Sequence, residues 1–133
     1  MSHPYTTSYH PPAPVLDVSL ARRGEASALG PVSAFVDTGA DSTFVPQDWL
    51  GEMGAPDIDA VRVRGMFGEW HETVLYKIDL IVGGQRLPGV NVVAYEEEAE
   101  VVLGRNVLNR LILLLDGPRG LTDLLEQAPR RGG

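Results

Sequence analysis

The chain has 133 residues, 44% of them apolar, with 18 acidic against 11 basic side chains, a formal net charge of −7 and no cysteine. That is the size of one domain with a real core; it leaves no disulfide framework or thiol nucleophile, and three scattered histidines without cysteine partners make no zinc set, so neither metal nor cofactor is expected. The acidic excess argues against a nucleic-acid partner, apolar runs such as Leu111 to Leu115 are far too short to cross a bilayer, and the N-terminus does not look like a leader, so the expectation is a cytoplasmic protein that engages no membrane.

Residues 1–14, "MSHPYTTSYHPPAP", hold four prolines and little aliphatic content, and are predicted to form a flexible N-terminal arm. Leu16, Val18 and Leu20 alternate with Asp17 and Ser19, the pattern of a strand with one wet face. "PQDWLGEMG" starts at Pro46, a favoured first-turn residue, and is cut by Gly51 and Gly54, giving one or two helical turns. Val61 to Arg64 leads into "GMFG", Gly65 to Gly68, where glycines at both ends permit a mobile hairpin tip. Alternation then resumes from Trp70 to Val82, with Val74, Tyr76, Ile78, Leu80 and Val82 on one side and His71, Thr73, Lys77 and Asp79 mostly on the other.

A Gly83-Gly84 turn returns the chain as a strand from Val90 to Tyr95. "EEEAE", Glu96 to Glu100, reads as a solvated loop that keeps a β edge from pairing, and His3, His10 and His71 read as surface residues. Arg105 to Arg110 is a second helix candidate, followed by the β-rich "LILLL" and a turn at "DGPRG". The pattern predicts an all-β domain over residues 15–126 with one or two short helices, and a flexible tail over 127–133.

The stretch "AFVDTGADSTFVP", Ala34 to Pro46, sets Asp37 at the end of an apolar strand. Such a carboxylate is costly unless it is paired, hydrogen-bonded or used. The Thr38-Gly39 that follows permits a tight turn and close backbone approach, presenting the carboxylate rather than hiding it. A second stretch, "VVLGRN", lies at Val101 to Asn106.

These two stretches resemble the active-site and Gly-Arg-Asn segments of the retropepsin-like aspartic proteases, the family of the retroviral proteases and their bacterial relatives. The resemblance implies a closed retropepsin-like barrel with a flap hairpin. It makes Asp37 the catalytic carboxylate, Thr38 the hydroxyl that braces two Asp loops, and Gly39 a backbone contact to substrate, with Ala40 and Asp41 beside it. It pairs Asp41 with Arg105, an ion pair that would buttress the loop with Gly104 in support. It puts Gly65, Met66, Phe67 and Gly68 at the flap, Leu121 to Leu125 in a dimer sheet, and Val36, Phe44, Met66, Phe67 and Val102 along an apolar cleft. Alternation puts Glu100 on the face of Val102, where it would meet a basic substrate side chain if the strand reaches that far.

Peptide hydrolysis of this kind needs two carboxylates, and the sequence holds one Asp-Thr-Gly. The second must come from another copy, so the expected partners are a second chain, in a twofold homodimer, and a peptide or protein substrate. The competing expectation is a catalytically silent retropepsin-like module for dimerisation or peptide binding, since fold alone does not imply activity.

Overall fold

The computed structural model describes residues 1–64, 67–96 and 100–130, without the side chains of residues 28 and 57. Among the described residues, ten strands and two short helices run in the order β1 (Ser2–Pro4), β2 (Val15–Ala21), β3 (Ser27–Val36), β4 (Thr43–Pro46), α1 (Gln47–Met53), β5 (Asp57–Arg64), β6 (Trp70–Val82), β7 (Gln85–Tyr95), β8 (Val101–Leu103), α2 (Arg105–Leu108), β9 (Ile112–Asp116) and β10 (Leu121–Leu125). Strands β2, β3, β8, β4, β7 and β6 pair in that spatial order, and β6 pairs back to β2, closing a barrel. No helix among the described residues is long and apolar enough to cross a membrane.

Alternation explains the closure. Leu16, Val18 and Leu20 of β2, Ile78, Leu80 and Val82 of β6 and Val90 and Val92 of β7 bury their side chains in one core, while Asp17, Ser19, Ile81 and Asn91 between them are exposed or half-buried. The β6–β7 register is set by a two-residue turn in which Gly83 and Gly84 both take positive φ (56° and 80°), so Val82 faces Gln85. β6 is 13 residues long. Its C-terminal half closes the barrel, while Trp70 to Tyr76 extends beyond β2 and pairs with β5 as a projecting hairpin. The guanidinium groups of Arg62 and Arg64 lie 5.0 and 5.8 Å from the Trp70 ring and stiffen that hairpin.

Asp79 keeps its alternating place but not the exposure that goes with it. The register shift between Ile78 and Leu80 adds its extra residue in β7, between Leu87 and Val90, so β6 alternates unbroken; on the face opposite Ile78 and Leu80, Asp79 is covered by the β2–β3 turn and Arg86 and is 2% exposed. Burial alone would raise its pKa, but N–H groups of Gly24 and Gly89 (both 2.9 Å) and the Arg86 guanidinium (2.8 Å) outweigh that and hold it below the ordinary value. Arg23 adds a contact at 3.3 Å. The carboxylate thereby ties the β2–β3 turn to the β6–β7 hairpin.

Residues 1–14 are not the free arm that their prolines suggest. β1 pairs antiparallel with β10, which pairs with β9, forming a second, three-stranded sheet. Thr6 and Ala13 exchange backbone hydrogen bonds of 2.9 and 3.1 Å, and Ala13 is buried. His3, expected at the surface, is buried opposite Thr122, with Nε2 3.9 Å from Asp17 Oδ2, because the alternation of β1 turns Ser2 and Pro4 outward instead. Because β10 is the central strand of this sheet, both its edges are taken. Among the described residues β9 is a free edge, and Ile112, Leu114 and Leu115 on it are 37%, 46% and 47% exposed.

Helix α1 runs through Gly51 and stops at Gly54, which takes the left-handed conformation (φ 66°). The second helix is a single turn, shorter than Arg105 to Arg110. Residues 127–130 lack helix and strand; residues 131–133 of the expected tail, the tip residues Gly65 and Met66, and Glu97 to Ala99 lie outside the described residues.

Candidate active site

Strand β3 delivers Asp37. Ala34 and Val36 are buried in the core, so Phe35 and then Asp37 fall on the opposite, half-exposed face. Val36, expected in the cleft, is therefore a core residue, and its neighbour Phe35 lies on the half-exposed face.

The turn after β3 is stitched to the segment after β8. Asp37 N–H donates to the Leu103 carbonyl (3.1 Å), Ala40 N–H to the Asp37 carbonyl (3.2 Å), and Arg105 N–H to the Ala40 carbonyl (2.8 Å). Gly39 N–H folds back to donate to Asp37 Oδ1 at 2.9 Å. A Cβ on Gly39 would sit 3.2 Å from that oxygen, so glycine lets the carboxylate rest on the peptide. Among the described residues no second carboxylate bonds to Asp37, and the exposed Thr38 hydroxyl has no hydrogen-bond partner.

The expected Asp41–Arg105 ion pair does not form among the described residues. Arg105, already held at the loop through its backbone, donates from Nη1 to the Thr38 carbonyl at 2.9 Å, and Asp41 is exposed. The buttress survives with a different acceptor. Gly104 is required sterically, since a Cβ there would lie 2.0 Å from the Ser42 carbonyl oxygen.

Thr43, which sequence reasoning passed over, joins the two segments. Fully buried, it donates from Oγ1 to Asn106 Oδ1 (2.8 Å) and accepts from Gly104 N–H (3.0 Å); Asn106 Nδ2 then donates to the Asn91 carbonyl (2.9 Å).

Beside Asp37 an apolar row crosses three strands at one register. Val102 of β8 faces Phe35 of β3 on one side and Phe44 of β4 on the other, and all three are half-buried on the outward face. Tyr9 packs on Phe35 with ring centroids 5.2 Å apart, and Tyr95 meets Phe44 edge-on at 6.1 Å. β8 begins at Val101, so Glu100 lies just outside it. Its carboxylate accepts a hydrogen bond from the Tyr9 hydroxyl, and its carbonyl accepts one from the Tyr95 hydroxyl.

Past Phe44 and Tyr95 the row opens into a cavity of about 430 Å³ under the β5–β6 hairpin, walled by Val63, Val74 and Val93 and edged by His71, Glu72 and Glu96. At the tip of that hairpin Phe67 is 90% exposed. Of the residues that sequence reasoning placed at the site, Asp37, Thr38, Gly39, Ala40, Gly104 and Arg105 come together in one bonded loop pair. Phe44, Val102 and Glu100 line the adjoining row, Phe67 stands apart on the hairpin, and Met66 lies outside the described residues. Phe35 was open to discovery by its parity with Asp37; nothing in the sequence marks Tyr9.

The barrel and its Asp-Thr-Gly loop define the class: a retropepsin-like fold. The family described as aspartyl protease matches the chain over residues 24–107. This chain belongs to the aspartyl protease family. A retropepsin-like aspartic protease from Rickettsia conorii is similar in structure over 93% of this chain and 88% of its own, with a TM-score of 0.65 at 12% identity. The protease of Simian Foamy Virus (mac) matches over 71% of this chain and 91% of its own (TM-score 0.51, 19% identity). The retroviral protease-like domain of Ddi1 from Leishmania major matches over 86% and 90% (TM-score 0.53, 15% identity). No curated protein sequence matches.

Proposed function

We propose that the chain is an aspartic endopeptidase that acts as a homodimer, with Asp37 of each copy supplying one carboxylate of a catalytic dyad. The observation that carries this reading is the presentation of Asp37: half-exposed, held in a glycine turn by its backbone, with one intrachain hydrogen bond to its side chain. Two such carboxylates facing each other share a proton, because like charges in contact do not both ionise readily. The ionised member takes a proton from water as it attacks, and the protonated member donates a hydrogen bond to the scissile carbonyl.

The partnerless Thr38 hydroxyl fits a brace to the same loop of the second copy. The free apolar edge of β9 is suited to join the copies, in place of the expected Leu121 to Leu125. An extended peptide lies between the Phe35–Val102–Phe44 row and the β5–β6 hairpin, which serves as a flap and folds Phe67 over it; Gly39, Ala40 and Asp41 meet its backbone.

The test is cleavage of a diverse peptide library by wild type and Asp37→Asn. The amide keeps the turn but neither takes the proton nor shares it, so the expected result is complete loss of cleavage with unchanged thermal stability. Cleavage by the variant at the wild-type rate refutes the mechanism. Cleavage by neither, with binding retained by both, assigns the chain to the silent binding modules.

A further inference from the structure

We infer that Tyr9, carried in from the N-terminal segment, is a specificity-determining residue of the Asp37 cleft: its ring ends the apolar row, and its hydroxyl holds the Glu100 carboxylate. The inference rests on the endopeptidase reading only for the identity of the ligand, an extended peptide.

The contacts form a belt. Tyr9 covers Phe35, Val102 joins Phe35 to Phe44, Tyr95 abuts Phe44, and the two tyrosine hydroxyls converge on Glu100, one at the carboxylate and one at the carbonyl. Phe35 shares its strand face with Asp37, so a side chain next to a bond positioned at Asp37 meets this belt.

Tyr9 is held as a wall, not a lid. Tyr5 N–H donates to the Gly120 carbonyl at 2.7 Å, tying the segment to the terminal sheet, and the Thr6–Ala13 pair closes the loop that carries Tyr9. With its ring packed on Phe35, Tyr9 remains 40% exposed beside a row of half-buried apolar side chains. That open fraction is surface for a ligand to touch. The hydroxyl bond to a carboxylate is charge-assisted and directional, so it also fixes where the negative charge of Glu100 sits at the rim.

Two consequences separate the ring from the hydroxyl. Without the ring, the row lengthens by the space of an aromatic side chain and accepts larger residues. With the ring kept and the hydroxyl gone, Glu100 turns free to pair with a basic residue of the peptide; an exposed pair contributes about 0–1 kcal/mol, up to roughly fivefold in affinity.

The experiment measures binding of blocked heptapeptides that differ only at the residue beside the central bond, bearing Val, Leu, Phe, Trp, Lys or Arg. The hosts are Asp37→Asn and the same protein with Tyr9→Phe, Tyr9→Ala or Glu100→Gln added; cleavage by the forms that retain Asp37 is followed in parallel. Tyr9→Ala is expected to raise the Trp-to-Val affinity ratio by about tenfold, the scale on which pockets discriminate side-chain size. Tyr9→Phe keeps the apolar ranking of the parent while raising the Lys and Arg peptides two- to fivefold, and adding Glu100→Gln to Tyr9→Phe removes that gain.

A merely structural Tyr9 weakens every peptide by the same factor, and that result overturns the inference. So does an unchanged ranking, or the absence of binding by any peptide. A changed ranking in a protein that cleaves nothing supports Tyr9 and refutes the endopeptidase reading alone. If Tyr9→Ala does not fold, the Tyr9→Phe comparison decides.

Discussion

Replacing Thr43 by valine tests the junction beneath the candidate catalytic loop. Valine matches threonine in shape and volume, so the change removes polarity and little else. The Oγ1 of Thr43 donates to Asn106 Oδ1 at 2.8 Å and accepts from Gly104 N–H at 3.0 Å. Asn106 is exposed and recovers a bond from water, so its loss is the ordinary net value of about 1 kcal/mol. Gly104 is buried, and its N–H is left with no acceptor, at a cost of about 1–3 kcal/mol.

Burying a methyl in place of a hydroxyl returns less than about 1 kcal/mol, so the expected destabilisation lies between about 1 and 4 kcal/mol, centred on about 2–3 kcal/mol. For a chain of this length that lowers Tm by roughly 6–15 °C. Urea unfolding at unchanged m-value measures it, with Thr43→Ser, which keeps both bonds, as the control. The junction also sets the height of Asp37, through Leu103 and Arg105 on either side of Gly104, so any activity should fall in kcat with the loss of stability. If Thr43→Val unfolds within about 0.5 kcal/mol of wild type, or Thr43→Ser falls as far as Thr43→Val, the hydroxyl is not the brace.

Gly104→Ala drives a Cβ to within 2.0 Å of the Ser42 carbonyl oxygen and should cost more than about 3 kcal/mol or prevent folding, whereas Gly51→Ala, which meets nothing within 4 Å inside α1, should stabilise by about 0.5–1 kcal/mol; chemical denaturation reads both. Asp79 has a folded pKa below its unfolded value of 3.8, so its contribution is complete above pH 3.8 and lost as pH falls through the depressed value. Asp79→Asn should therefore cost about 1.5–3 kcal/mol at pH 7, and the gap from wild type should close in acid; a gap constant with pH refutes the role. Leu114→Asp on the free edge of β9 should shift sedimentation toward the monomer and make activity fall more steeply on dilution, while a dimer unaffected by the change moves the interface elsewhere.

Period-two alternation made the barrel legible, because a strand with one buried face writes its register into the sequence. Leu16, Val18, Leu20 and the Gly83-Gly84 turn stand where they were expected. What alternation does not carry is coverage from outside the strand: Asp79 keeps its place opposite Ile78 and Leu80, and the β2–β3 turn with Arg86 makes it a buried tie instead of a surface charge. Nor does it carry long-range pairing of a polar, proline-rich segment. Residues 1–14 bury little, yet β1 is held because its backbone completes a ladder with β10, which depends on strand edges rather than side-chain type.

The candidate site divides along the same line. Motif and spacing marked Asp37, Thr38, Gly39, Gly104 and Arg105, because their roles are local and follow from a turn and a steric limit. The acceptor of Arg105 was misjudged, since opposite charge suggested Asp41 while a backbone carbonyl, invisible in a sequence, lay closer to hand. Cleft-lining residues follow from parity. Asp37 is half-exposed, so residue 35 and not residue 36 shares its face, and that one step moves Val36 into the core and brings Phe35, with Tyr9 on top of it, to the half-exposed face beside Asp37.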